Sequence, residues 1–151
     1  MNKPASFCYD GSDGSKTALR AVIDLIKPAD AVVLVVWTPA EVQLSRAGSF
    51  IVAIPNDGEI DEREAATAQQ IAEEGAAGAR ERGYNPSART AQANESVAKT
   101  IEEIAQEIGA GLIVCGQRGR GAIGSALLGS VSYALAARTR RPVLIAPQHP
   151  S

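Results

Sequence analysis

The sequence predicts an α/β fold, a three-layer sandwich in which a five-stranded, mostly parallel sheet carries helices on both faces. Three observations predict it. Short β-rich runs alternate with longer stretches of helical periodicity in the order β-α-β-α-β-α-β-α-β, which calls for parallel strands joined by right-handed crossovers. The runs Ala31 to Trp37 and Leu112 to Cys115 are apolar throughout instead of alternating, as strands covered on both faces are. The chain has 151 residues, 45% apolar and 21% charged, the size and balance of one globular domain spanning 1–151. A chain of this length buries roughly 70% of its unfolded surface and needs no metal or disulfide staple.

Taken in order, Ala5 to Tyr9 reads as a short buried strand. Asp10-Gly11-Ser12-Asp13-Gly14 is a turn of residues that tolerate positive φ or bond their own backbone. Ser15 then stands as the N-cap of a helix to about Ile26, with Ala18, Leu19, Val22, Ile23 and Ile26 on one face and Pro28 beyond its end. Ala31 to Trp37 is the second strand. The stretch 38–59 holds Pro39, Gly48, Pro55 and an Asn56-Asp57-Gly58 turn, and reads as a long loop of the functional or disordered kind. Ile60 to Arg82 is a helix whose inner side is mostly alanine (Ala65, Ala68, Ile71, Ala72, Ala76, Ala79), suited to close approach to the sheet. Ser87 to Ala93 is a weak strand. Glu95 to Ile108 is a helix with Val97, Ile101, Ile104, Ala105 and Ile108 at helical spacing, a Glu95–Lys99 pair and Gly109 at its close. Leu112 to Cys115, a glycine-rich loop 116–129, a short helix from Ser130 to about Thr139 and a strand Pro142 to Ala146 complete the chain.

Composition removes several function classes. The longest apolar run is far short of the ~20 residues of a membrane span, and the first residues lack the apolar stretch of a signal peptide, so the expected compartment is the cytoplasm. Cys8 and Cys115 lie inside apolar runs with no Cys/His cluster near them, and read as buried, reduced thiols. The single histidine, His149, sits in the tail, which leaves Ser-His and Cys-His catalysis without a positioned base. Aromatic residues are 4%, too few for base-stacking platforms, and the net charge of −2 gives no case for nucleic acid. The charge is unevenly placed. Through Glu107 there are 17 acidic and ten basic residues; after it come Arg118, Arg120, Arg138, Arg140 and Arg141 and no acid. The C-terminal stretch is where an anion is welcome. The last arginines stand where they offset the C-terminal dipole of the final helix.

The sharpest motif is the loop from Gly116 to Gly129, which holds five of the 14 glycines. It follows a buried strand and opens a helix, a setting in which bare backbone amides and a helix N-terminus at Ser130 close around phosphate oxygens. Ser130 and Ser132 add hydroxyls. No G-x-x-x-x-G-K-[ST] is present, and although Gly119-Arg-Gly121-Ala-Ile-Gly124 matches G-x-G-x-x-G, it follows the fourth strand and no downstream acid exists to hold a ribose. Neither a P-loop nor a dinucleotide fingerprint is read. Asp10, at the end of the first strand, is placed to accept hydrogen bonds from a ribose hydroxyl or an adenine amine; the alternative, an Asx-turn residue, is equally open.

The spacing Gly116-x2-Gly119-x9-Gly129-Ser130 resembles the G-x2-G-x9-G-[ST] signature of the universal stress protein family. The Asp10-Gly11-Ser12 turn, Asn94-x-Ser96-x2-Lys99-x-Ile101, Gly111-Leu-Ile-Val-Cys-Gly-Gln-Arg-Gly and the closing Arg141-Pro-Val-Leu-Ile-Ala are similar too, so the likeness runs from about Ala5 to Pro147. The resemblance implies a Rossmann-like sheet of the adenine nucleotide alpha hydrolase-like type, ATP as ligand, and Mg²⁺ held through the phosphates. It assigns Gly116, Gly119, Gly129 and Ser130 to phosphates and ribose, Val131 and Ser132 to the phosphate contact at the helix start, and Asp10 to the adenosine moiety. Val36 would meet adenine through its backbone, with Cys115 on the same wall. It also implies a homodimer through the last strand, Val143, Leu144 and Ile145, whose apolar edge invites pairing, and an unidentified protein partner. Gln117, Trp37 and Cys115 depart from the family's usual residues. The expected function is an ATP-dependent regulator of stress response or dormancy. The alternatives are a slow nucleotide hydrolase or phosphotransferase, and a nucleotide-free dimeric adaptor.

Overall fold

The computed structural model describes residues 3–27, 29–39, 57–118 and 128–147. In chain order its elements are β1 (Ala5–Cys8), α1 (Asp13–Leu25), β2 (Asp30–Trp37), α2 (Asp57–Arg80), β3 (Asn85–Gln92), α3 (Val97–Glu107), β4 (Leu112–Gly116), α4 (Ser130–Arg138) and β5 (Val143–Ala146). The strands form one five-stranded sheet in the order β3-β2-β1-β4-β5, parallel at every pairing. The expected three-layer α/β sandwich is the observed one.

Each central strand feeds two cores because alternate side chains leave opposite faces. Ala5, Phe7 and Tyr9 of the first strand and its extension, with Ala31, Val33 and Val35 of β2, meet Ala18, Leu19 and Val22 of α1 and the alanines 68, 72, 76 and 79 of α2. Leu34, Ile113 and Cys115 meet Ile101 and Ala105 of α3 and Leu135 of α4 on the other face. The alanine stripe lets α2 lie close to the sheet, as its sequence suggests. Phe7 and Tyr84 pack edge to face, with ring centroids 5.7 Å apart.

Several boundaries differ from those read in the sequence. α1 begins three residues earlier, and its N-cap is Ser12, not Ser15. Asp57 and Gly58 belong to α2, not to a turn before it, while 40–56 lies outside the described residues. α3 is capped by Ser96, whose Oγ accepts the Lys99 amide at 3.1 Å. β3 is a full eight-residue strand paired from Asp30↔Asn85 to Trp37↔Gln92. Its polar sequence hides it because it is an edge strand. Among the described residues only its β2 side is paired, which also accommodates Pro86, and small residues on either face, such as Ala88 and Ala91, pack against the two cores. Arg89 of β3 forms a two-pronged pair with Glu107 of α3, at 2.9 and 2.8 Å. Gly109 ends α3 at φ +65°, a left-handed conformation that glycine adopts without strain. Arg141 does more than balance a dipole: its Nη1 donates to the Ala110 carbonyl at 2.7 Å and pins the α3–β4 turn.

Candidate functional site

β1, β2 and β3 step outward in one direction, and the chain then returns to lay β4 on the other side of β1. The reversal falls between β1 and β4, and in a parallel sheet ligands bind beyond the carboxyl ends at such a reversal. A cavity of about 580 Å³ opens there, within the roughly 300–1,000 Å³ usual for small-molecule sites. Asp10, Val36, Cys115, Gly116, Gly129, Ser130, Val131 and Ser132 all line it. Gly119, the ninth residue singled out in the sequence, lies outside the described residues.

The start of α1 forms one wall and is closed by its own side chains. Ser12 Oγ accepts the Ser15 amide at 3.2 Å, and Ser15 Oγ donates to the Ser12 carbonyl at 3.0 Å. Asp10 Oδ1 accepts the Ser12 amide at 2.9 Å, so Asp10 does build the Asx-turn while also facing the cavity. Asp13 adds an acid in the first turn.

The start of α4 forms the opposite wall and is built differently. Its N-cap is Gly129, with no side chain to accept the first-turn amides. The Gly129 amide donates to the Gln117 carbonyl at 2.8 Å, and Ser132 Oγ donates to the carbonyls of Gln117 (2.9 Å) and Gly129 (3.0 Å). The two ends of the glycine-rich loop are thus tied together. The Ser132 hydroxyl serves that tie while lining the cavity. The amides of Ser130, Val131 and Ser132 come next, and helix geometry gives them no intrahelical acceptor. No acid stands in this first turn. Gly129 has φ −68° and ψ 164°, a conformation open to any residue, so the backbone does not demand glycine there. What glycine supplies is an uncapped helix end facing a cavity.

Two other glycines lock the walls together. A Cβ on Gly116 would stand 2.8 Å from the carbonyl carbon and oxygen of Gly14, and one on Gly14 would stand 2.4 Å from the Arg118 carbonyl oxygen. The first turn of α1 therefore rests directly on the backbone leaving β4. Gly116 is a packing residue as well as part of the spacing motif.

Among the described residues the cavity carries few charges. Asp10 and Glu64 bring carboxylates and Arg118 a guanidinium. Burial pushes the Cys115 thiol up to about 11, and burial, then Cys115 and Asp10, push Cys8 well above its ordinary value. Both cysteines are free, and burial disfavours the thiolate form of each. Trp37 packs partly into the α1–α2 core and also reaches the cavity, so its bulk narrows the rim without leaving the core.

Sequence reading missed the contribution of α2. Glu64, Thr67, Ala68 and Ile71 line the cavity from one helical stripe. The stripe is visible in the sequence at spacings of three and four, but Ala68 and Ile71 read there as core and Glu64 and Thr67 carry no signal of a site. Its first residues overhang the strand ends instead. Ser12, Ser15, Val97 and Ile101 also line the cavity.

The universal stress protein family model matches residues 1–147. Universal stress protein YxiE of Bacillus subtilis (strain 168) is 33% identical over 139 residues, which are 90% of this chain and 93% of that protein. Among solved structures, hypothetical protein MJ0577 superposes with a TM-score of 0.79 at 20% identity, covering 100% of this chain and 99% of its own. The universal stress protein of Archaeoglobus fulgidus in complex with dAMP matches with a TM-score of 0.64 at 17% identity, over 96% and 97% of the two chains. A universal stress protein in complex with cAMP (TM-score 0.64, 22% identity, 98% of each chain) and one from Arabidopsis thaliana with AMP bound (0.66, 15%, 97% and 92%) share the fold. With residues 1–147 matched by the family model and 33% identity to YxiE over 139 residues, the chain belongs to the universal stress protein family.

Proposed function

We propose that this protein binds ATP in the cavity between α1 and α4 and acts as a nucleotide-dependent regulator of stress response or dormancy in the cytoplasm, turning ATP over very slowly or not at all. The observation that carries the reading is the uncapped start of α4. Three amides without intrahelical acceptors and a partial positive charge face a cavity of nucleotide size, and this is an anion site by construction. The family relatives solved with AMP, dAMP and cAMP support an adenine nucleotide as the ligand. Ser130, Val131 and Ser132 hold the phosphates through their amides, with Gly116, Gly119 and Gly129 shaping the loop around them. Asp10 meets the ribose or the adenine amine, the Val36 backbone meets the base, and Cys115 forms part of the wall. Among the described residues no group of three or more His, Cys, Asp or Glu side chains converges, so Mg²⁺ enters on the phosphates, neutralising them as a hard cation with mainly oxygen and water ligands.

The output of such a regulator is a surface that a partner reads. β5 is an edge strand, paired only with β4, and Val143, Leu144 and Ile145 are partly exposed on it. Pairing of two such edges across a two-fold axis makes a homodimer and covers a strand that is otherwise open to association. Sedimentation velocity is expected to give twice the 15.7 kDa chain mass; a monomer at micromolar concentration would remove this part of the reading.

The decisive experiment is to denature the purified protein and identify released nucleotide by liquid chromatography and mass spectrometry, followed by ATP titration of the melting temperature. Release of ATP or a melting temperature raised by it, as a ligand of the native state requires, supports the site. No release together with no shift at saturating ATP overturns it and favours the adaptor. Gly129→Asp is a sharper control than Gly116→Ala, because alanine at 116 also collides with Gly14.

A further inference from the structure

The nucleotide reading uses Cys115 only as wall and leaves Cys8 without a role. β1 and β4 are adjacent and parallel, in register from Ala5↔Leu112 through Phe7↔Val114. One step further along, Cys8 stands level with Cys115. Both side chains leave the same face: Cys115 belongs to the core under α3 and α4, and Cys8 packs against that core. Both line the cavity, and both are free thiols.

The spacing of the strands decides what such a pair can hold. Neighbouring strands lie about 4.7–4.9 Å apart, whereas a disulfide wants its Cβ atoms about 3.8 Å apart, so a direct bridge would have to draw β1 and β4 together. Two in-line metal–thiolate bonds, each about 2.3 Å for zinc and somewhat shorter for Cu(I), hold sulfurs roughly 4 Å apart, nearer the strand spacing than the about 2.05 Å between the sulfurs of a disulfide. Soft thiolates select Cu(I), zinc and iron–sulfur clusters. The latter two take four protein ligands, and among the described residues no third His, Cys, Asp or Glu joins the pair, which leaves Cu(I).

We propose that Cys8 and Cys115 form a two-thiolate site for a soft monovalent cation of the Cu(I) type at the floor of the cavity. Binding breaks two S–H bonds, forms two S–Cu bonds and releases two protons to solvent, with no change of oxidation state. The resulting complex carries one net negative charge, which the open N-terminus of α4, facing the same cavity, offsets when no nucleotide phosphate occupies it. Leu34, Ile101 and Ile113 surround the pair with apolar side chains, which limit water access to the cation. The site does not depend on the nucleotide reading.

The test titrates the reduced full-length protein anaerobically with Cu(I) against the chromophoric chelator bicinchoninate. One Cu(I) per chain is expected. Cys8→Ala and Cys115→Val should each weaken uptake by more than the about 10–100-fold that loss of a mere supporting group costs. Cys8 is only half-buried, so its replacement keeps the test valid if the buried Cys115 variant misfolds. Uptake no stronger than the chelator's, uptake that survives either single substitution, or one Cu(I) per two chains would overturn the site. So would rapid loss of both thiols to an intramolecular disulfide in a neutral glutathione buffer, because it would show that the strands close to disulfide distance.

Discussion

α1 and α4 both begin at the carboxyl end of the sheet and border one cavity, yet α1 satisfies its first turn with its own side chains and α4 does not. Around α1, Asp10, Ser12 and Ser15 form a closed set of hydrogen bonds, and Asp13 already supplies the negative charge that a helix N-terminus favours. Around α4, Gly129 caps nothing and no acid follows. A glycine cap gives up only about a few tenths of a kcal/mol relative to a side-chain cap, so the bare end of α4 is cheap to keep while the neighbouring helix closes its own. The difference teaches where the anion goes. A helix end that is already complete serves as scaffold, while an incomplete one waits for acceptors from outside the chain.

The largest expected effect comes from completing the incomplete end. Aspartate at 129 fits the backbone found there, accepts the first-turn amides itself and places its charge where a phosphate would sit. Charge-assisted hydrogen bonds contribute about 1.5–3 kcal/mol each. Losing one or two of them makes ATP affinity in Gly129→Asp fall roughly 10- to 100-fold or more, at about 1.4 kcal/mol per tenfold. The melting temperature should hold or rise, since Asp caps better than Gly. Calorimetric titration together with a thermal scan reads both. Unchanged ATP affinity would erase the functional contrast between the two helices.

The next effect attacks the contact that joins the two walls. In Gly14→Ala the new methyl meets the Arg118 carbonyl oxygen at 2.4 Å, and backbone cannot rotate away as a side chain can. Overpacking of this kind costs about 1–3 kcal/mol, and a domain of this size loses roughly 2–4 °C per kcal/mol. Both melting temperature and ATP affinity should fall together, because the displaced segment carries Gly116 and leads into the loop. A stability loss with ATP affinity intact would mean that the walls act independently.

The same two helices show how far the sequence could be read. β2 and β4 were legible because continuous apolar runs have few other uses, and α3 because its apolar face repeats cleanly. The start of α1 was not, since two serines three residues apart can each cap a helix. The turn-forming residues Asp13 and Gly14 are in fact helical. β3 was legible only in part, because an edge strand needs few apolar residues. Strand order points to the loops after β1, β2 and β4, the glycine-rich loop points to the start of α4, and the family resemblance adds Val36 and Cys115; every described residue expected at the site reaches the cavity. Glu64 and Thr67 could not be found this way. A helical stripe has the same spacing whether it rests on a strand or extends past its end.

A smaller effect tests the scaffold role of α1. Ser12→Ala removes the cap to Ser15 and should lower stability by about 1 kcal/mol. Its effect on ATP affinity should be well below that of Gly129→Asp. Equal losses of affinity in the two variants would mean that α1 also presents its first turn to the ligand.

The smallest effect asks whether the rule behind the comparison, that a polar group left without a partner signals function, holds away from the cavity. Ser6 stands in the central strand, fully buried, and among the described residues its Oγ has no hydrogen-bond partner. It lies beneath the cores with no route to a ligand, so here the unpartnered group is a plain burden. Burying a hydroxyl without a bond costs about 1–3 kcal/mol, and the void left by removing one oxygen returns part of that at about 24 cal/mol per Å³. Ser6→Ala should therefore raise the melting temperature by a few degrees or leave it unchanged, with ATP affinity untouched. Should Ser6→Ala destabilise the protein, the hydroxyl has a partner such as a buried water. An unsatisfied group in this fold would then have to be checked for water before it is read as a site, and the amides of α4 would face the same check.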